Sequence, residues 1–567
     1  MSRRTPASWS TLCLGLLAAL ACSAGEAPPA IDLLVVNANV VTLDAARPSA
    51  EALAVGGDRI VWLGSTQEAR QRWPEEAALD LAGATLIPGI IDAHTHLLSL
   101  GESYIKINLR DLPDESAIVE RIRQAAATTA PGEWILGWGW DEGKWAARYP
   151  TNAALSAATP DHPVFLVGLH GFAGWANARA LELAGVAQDT ADPPKGQIVR
   201  DPATGLPTGI LTNRAQELVT RHLPPLTPEQ TQRAIELAAQ ECVKHGLTSV
   251  HEAKVSAPMI EAYRALLREN RLPLRISVML DGADRALVDE WLARGPEVDP
   301  AHRLHIRSVK LFADGALGSR GAALLEPYSD EPGSHGLFTT PGEAVYDITR
   351  RSLERGFQVA THAIGDAANR AVLDAYERAL GEANASDARL RIEHAQVVAA
   401  EDIPRFAKLG VIASMQPPHA TSDMPWAEQR VGATRIQGAY AWRSMLASGA
   451  HVPLSSDFPG ETLDPFHGIY AAVTRQAPDG TPAGGWRPEQ RLTLDEALRG
   501  YTREAAYAEF EERDKGSLET GKLADFLVLS ADITQLAPPQ LLELRVLRTY
   551  VGGKLVFESD GQVSPTR

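Results

Sequence analysis

Eight short apolar runs, spaced by amphipathic stretches of helical pattern, set the limits on how this chain folds. They cover residues 86–94, 247–251, 272–280, 304–312, 357–362, 390–394, 411–415 and 452–457. Strand-length runs alternating with helices build a parallel sheet covered by helices, and eight such units close it into a (β/α)8 barrel of the TIM type. The interval between the first two runs is far longer than one crossover needs. Residues 97–230 are therefore read as an insertion after barrel strand one, on the end of the barrel where loops build a site. It is rich in Gly and in Trp: Trp134, Trp138, Trp140, Trp145 and Trp175.

Short alternating strands recur at both chain ends. Residues 31–36, 52–55 and 59–63 have the pattern, with Gly56-Gly57-Asp58 as a turn, and so do residues 524–529 and 546–551, the latter followed by Gly552-Gly553. The ends are expected to pair into one small β-sandwich, residues 30–84 with 515–560, beside a barrel of residues 85–514. A chain of 567 residues is long enough for both. A net charge of -17 with no basic stripe argues against nucleic acid as a partner.

The first residues follow another pattern. Met1-Ser2-Arg3-Arg4 is basic, residues 12–21 are almost wholly apolar, and Ala19-Leu20-Ala21-Cys22 precedes a polar, Pro-containing stretch. Residues 1–21 are read as a lipoprotein-type signal peptide too short to be a comfortable membrane span, with Cys22 as the lipidated first residue of the exported chain. An ordinary signal peptide with a chance Cys is the alternative. The expectation is a periplasmic or outer-membrane-anchored bacterial lipoprotein whose only membrane contact is its lipid anchor. Besides Cys13 and Cys22 only Cys242 remains, which excludes an internal disulfide framework.

Side chains suited to metal binding stand at the ends of the apolar runs. His94-Thr95-His96 closes the first, and residues i and i+2 of a strand share a face, so both imidazoles can reach one ion. Lys310 lies in the fourth run, His362 ends the fifth, His394 the sixth and Asp457 the eighth. Taken singly, each has a plainer explanation as a loop histidine, a hydrogen-bonded core histidine or a snorkelling lysine. Arriving in barrel order at the ends of different strands, they describe a catalytic metal site.

These residues lie in stretches through which the chain resembles the amidohydrolase superfamily, and within it the YtcJ-like branch, amidohydrolase family 3, which includes N-substituted formamide deformylase. The stretches are Pro88-Gly89-Ile90-Ile91-Asp92-Ala93-His94-Thr95-His96, Lys310-Leu311-Phe312-Ala313-Asp314-Gly315-Ala316-Leu317-Gly318-Ser319-Arg320, His362-Ala363-Ile364-Gly365-Asp366, Arg391-Ile392-Glu393-His394-Ala395-Gln396, Ser414-Met415-Gln416-Pro417, Ser456-Asp457-Phe458-Pro459 and Gly516-Ser517-Leu518-Glu519-Thr520-Gly521-Lys522-Leu523-Ala524-Asp525. The resemblance implies two divalent metal ions: His94, His96 and Asp457 on one, His362 and His394 on the other, with Lys310 bridging both as a CO2-derived carbamate. A lysine ammonium beside two dications would be repelled, whereas its carbamate is anionic and offers two oxygens to ions about 3.5 to 4 Å apart. An unmodified Lys310 would go with a single metal. Zn2+ is the default for imidazole and carboxylate ligands, and Mn2+, Fe2+ or Ni2+ fit the same set.

The implied reaction is hydrolysis of a C–N bond, of amide or formamide type, in a small-molecule substrate. The metals would lower the pKa of a shared water, and Asp457 would take its proton and deliver it to the leaving group. Ester, lactone or cyclic-amide hydrolysis and deamination stay open on the same residues, as does a non-catalytic binding or regulatory protein on this scaffold. Candidate substrate contacts are His170, in Val167-Gly168-Leu169-His170-Gly171-Phe172, and Arg320, with Gln416 and His419 lining the pocket from strand seven. A structural salt bridge is the alternative for Arg320, and core packing for Trp138, Trp140 and Trp145. A homo-oligomer is compatible with the sequence.

Overall fold

The computed structural model describes residues 29–560 apart from 111, 141–148, 169–172, 194–195 and 384–386. Residues 1–21, read above as a signal peptide and containing Cys13, lie outside the described residues, as do Cys22, Trp145 and His170.

Seven parallel strands follow one another around the barrel: β1 (Ile90–Thr95), β2 (Leu247–Val255), β3 (Arg275–Asp281), β4 (Leu304–Phe312), β5 (Gln358–Ala363), β6 (Arg391–His394) and β7 (Ile412–Ser414). Each pairs in parallel with the next. Parallel neighbours need crossovers, and amphipathic helices such as Ala257–Arg268, Gly342–Leu353 and Asp366–Ala383 supply them.

The eighth position differs from the sequence expectation. Residues 452–457 do not form a ladder, because Pro453 has no N–H to give to one, and the only bridge is Leu454 to Met415. The segment still closes the barrel. Ala413 and Met415 of the β7 side donate to its His451 and Pro453 carbonyls, while Asp457 N donates to His94 O and His96 N to Phe458 O on the β1 side.

The first apolar run is also divided. Thr85–Pro88 pairs antiparallel with Phe526–Leu529, and β1 begins only at Ile90. Pro88 cannot donate, and a Cβ on Gly89 would lie 2.2 Å from Thr248 Oγ1, so the chain steps from one sheet to the next at this pair.

Thr85–Pro88 belongs to a six-stranded sheet that also holds Asn39–Val41, Phe526–Leu529 and Val546–Val551. It packs on a four-stranded sheet of Leu33–Val36, Ala52–Gly56, Arg59–Gly64 and Ala78–Asp80, around Val35, Leu53, Ile60, Leu86, Phe526 and Tyr550. Strands from both chain ends thus share one core. Between β1 and β2, residues 107–213 form a mixed six-stranded sheet in which Trp140 and Trp175 are fully buried and meet edge-on at 6.2 Å. Those two rings pack that sheet rather than line a pocket.

Candidate metal centre

His94, His96, Lys310, His362, His394 and Asp457 converge at the carboxyl end of the barrel. Ring centroids lie 5.6 Å apart for His94 and His96, 5.0 Å for His94 and His394, and 4.6 Å for His362 and His394. Lys310 Nζ is 3.4 Å from His94 Nε2, and Asp457 Oδ1 is 3.3 Å from His96 Nε2. Donor atoms of His94, His394 and Asp457 all fall within 4.8 Å of one another, close enough for one ion to reach them together.

Strand alternation delivers some of these side chains and backbone distortion the rest. His94 and His96 share a face by their spacing, as do Lys310 and Phe312 on β4. Glu393 and His394 are adjacent and would point to opposite faces of β6. His394 has φ +76° and Ala395 φ +41°, and this left-handed turn swings the imidazole back toward the mouth. Asp457, at φ +63°, is turned in the same way. Each such residue costs roughly 1–2 kcal/mol, and strain of this kind persists where surrounding structure enforces it.

The far nitrogens decide whether the set suits a metal. His94 Nδ1 meets Glu393 Oε2 at 2.5 Å, and His394 Nδ1 meets Gln416 Oε1 at 2.8 Å. Both partners are acceptors, so each Nδ1 carries the proton and each Nε2 turns a lone pair to the centre. His362 Nε2 is buried without a hydrogen bond among the described residues, its Asp314 Oδ1 neighbour standing off at 3.4 Å, so this nitrogen is an orphaned polar atom that an ion could satisfy. Burial lowers His94 to about 4 and holds His394 well below the usual imidazole range, so both rings are neutral, as metal ligation requires. Burial alone would raise Asp457, but the His96 hydrogen bond and the surrounding imidazoles outweigh it and hold the carboxyl well below its ordinary value. Burial pulls Lys310 down to about 8, so its neutral amine is appreciably populated near neutral pH. The residues fit a divalent metal centre.

A supporting layer that sequence reasoning missed stands behind these ligands. Arg391 grips Glu393 at 2.7 and 3.1 Å and also reaches Ala93 O, Ser414 Oγ and His251 Nδ1. The Asp314 carboxylate accepts the backbone N–H groups of Ala323, Ile364 and Gly365 at 2.8 to 3.0 Å. Glu252 accepts from Thr95 Oγ1 and Leu97 N. A sequence signal for this layer exists: Arg391 and Glu393 are charged residues two apart in an apolar strand, and a core tolerates such charges only when they meet partners.

Glu393 lies between two donors, Arg391 and His94 Nδ1–H. Glu393→Gln must turn an NH2 toward one of them, so metal affinity should fall about 10- to 100-fold in chelator competition. Unchanged affinity would show that Glu393 does not orient His94.

The remaining candidates are placed as follows. Arg320 is held by Asp330 at 2.9 Å and Glu331 at 3.2 Å. Gln416 gives its oxygen to His394 and its NH2 to Ser455 Oγ. His419 Nε2 is 3.6 Å from Asp457 Oδ2, and its ring stacks on His394 at 5.8 Å. A second group, His302, His305 and Glu511, gathers at the opposite end of β4. There Arg59 Nη2 stands 3.2 Å from His302 Nε2 and Asp299 N donates to His305 Nδ1, so the nitrogens facing Glu511 keep their protons. His302 Nδ1 hydrogen-bonds Glu511 at 2.5 Å, while His305 Nε2 stands 3.4 Å from the same carboxylate without a hydrogen bond.

A closed barrel with four imidazoles, a buried lysine and an ionised carboxylate at its carboxyl end defines a metal-dependent hydrolase. A family model described as the amidohydrolase family matches residues 77–557, and the chain belongs to that family, in its YtcJ-like branch. It is 33% identical over 521 residues to the putative amidohydrolase YtcJ of Bacillus subtilis, covering 90% of this chain and 96% of that protein. It is also 33% identical over 548 residues to the N-substituted formamide deformylase of Arthrobacter pascens, covering 94% of this chain and 99% of that protein. The solved structure of an uncharacterized metal-dependent hydrolase from Pyrococcus furiosus superposes with a TM-score of 0.74 at 30% identity, covering 88% of this chain and 99% of that one.

Proposed function

We propose that this chain hydrolyses the C–N bond of small amides, formamides included, at a two-metal centre, with Asp457 as proton carrier. The observation that carries the reading is the set of backed imidazoles. His94 and His394 each give one nitrogen to an acceptor and turn the other toward a space shared with Lys310 and ionised Asp457, and the His362 ring lies 4.6 Å from that of His394 with a buried Nε2 left unsatisfied. His94, His96 and Asp457 would hold one ion and His362 and His394 the other, with a carbamate on Lys310 between them; Zn2+ suits these donors. When bound, such ions supply a water ionised near neutral pH and an electrophile for the carbonyl oxygen.

Asp457 is placed to work from both oxygens. Oδ1 lies near His94 and His96, whereas Oδ2 lies 3.6 Å from His419 Nε2 and would take a proton and hand it to the leaving nitrogen. Similarity to a formamide deformylase favours amides over esters, lactones or deamination. The complete ligand set weighs against a purely binding or regulatory role. Purified protein tested with formamides, amides, esters and lactones, before and after chelation and Zn2+ return, is expected to turn over an amide or formamide only when metal is present. Turnover of esters or lactones alone would contradict the reading.

We further propose export, with residues 1–21 removed and Cys22 lipidated. Cys22→Ala should move the protein from the membrane fraction to the soluble fraction. An uncleaved wild-type chain in the cytoplasm would contradict this.

A further inference from the structure

The end of β2 is irregular in a way the centre itself does not require. Its register against β3 shifts between Glu252 and Val255, and within that bulge Lys254 has φ +61°. Glu252, Ala253 and Val255 are buried and Lys254 alone is exposed. A left-handed lysine costs stability that a glycine would not, and bulges beside active sites serve to re-aim a side chain.

The side chain is aimed at the mouth of the barrel. Lys254 Nζ lies 5.9 Å from the centroid of the Phe312 ring. Phe312 shares a face of β4 with Lys310, whose Nζ is 5.0 Å from the same centroid, and the ring packs on His362 at 5.4 Å. Among the described residues the Lys254 ammonium has no hydrogen bond and no ion pair. Carboxylates are not scarce in a chain with 71 Asp and Glu against 54 Lys and Arg. Among the described residues, a strained residue thus presents an unpaired cation against the same aromatic ring that the proposed bridging lysine contacts.

We propose that Lys254 recognises an anionic group on the substrate, so that the amides taken by this site carry a carboxylate close to the scissile carbonyl. The proposal rests on the amide-hydrolase reading above. An ammonium lying against an aromatic ring binds a carboxylate through a charge-assisted hydrogen bond, and a neutral amide leaves it unpaired.

The test compares hippurate and N-formyl amino acids with neutral N-benzylformamide in wild type, Lys254→Met and Lys254→Gly. Lys254→Met should raise KM for the carboxylate-bearing amides about tenfold or more, the scale of a lost charged hydrogen bond, with kcat little changed and the neutral amide unaffected. Lys254→Gly should show the same loss while Tm holds or rises, because the left-handed turn is relieved. Hippurate binding by calorimetry should weaken in both variants whether or not hippurate is turned over. Equal effects on charged and neutral amides, unchanged hippurate binding, or a fall in Tm for Lys254→Gly with substrate preference intact would overturn the proposal. Wild-type turnover confined to neutral amides would overturn it and leave the function standing. If no amide of either kind is turned over, the function falls and hippurate binding still decides for or against Lys254.

Discussion

Lys310→Ala should leave a protein that neither retains a bridged metal pair nor hydrolyses any substrate above its metal-free background. Lys310 is fully buried, with Nζ 3.4 Å from His94 Nε2. As an ammonium it would occupy the His94 lone pair and repel cations; as a carbamate it brings a negative charge and two oxygens to the same place. Truncation removes that bridge and opens a cavity costing about 2–5 kcal/mol, so loss of metal must be separated from loss of packing. Lys310→Met keeps most of the volume and should lose metal and activity equally. Formate, acetate or propionate can enter the space left by Lys310→Ala, and activity should return in proportion to added carboxylate. Full metal content and activity in Lys310→Met would show that the lysine has no part in the centre.

The second large effect is expected at Asp457. Asp457→Asn keeps an oxygen toward His94 and His96 but cannot carry a proton, so the fold and most of the metal should survive. The amide rate should fall about a hundredfold or more, the scale of lost general acid–base assistance. The loss should be smaller for activated esters, whose leaving groups need no proton. Equal slowing of amides and esters would reduce Asp457 to a ligand.

The barrel is legible in the sequence because β-strands buried on both faces are nearly continuous apolar runs, and β4 spans residues 304–312 as the sequence reading places it. Pattern alone does not show where hydrogen bonding stops. Pro453 has the right neighbours for a strand and no N–H to build one, and Pro88-Gly89 hides the passage from sandwich to barrel within one apolar run. Candidate ligands that follow strand alternation, such as His94 and His96, are readable from spacing. His394 is readable from its place at the end of the sixth run, but its orientation is not, because Glu393 and His394 alternate and a left-handed turn at His394 and Ala395 sets the ring. The layer behind the ligands is the least readable. Arg391, Glu393 and His251 acquire their meaning from one another across two strands far apart in the chain, which a sequence does not display.

The most direct test of the two-metal centre is the number of divalent ions per chain in the purified wild-type protein, measured by elemental analysis. Two ions per chain are predicted, falling to none in Lys310→Met. One ion per chain in the wild type, or two that survive Lys310→Met, would contradict a centre bridged by Lys310.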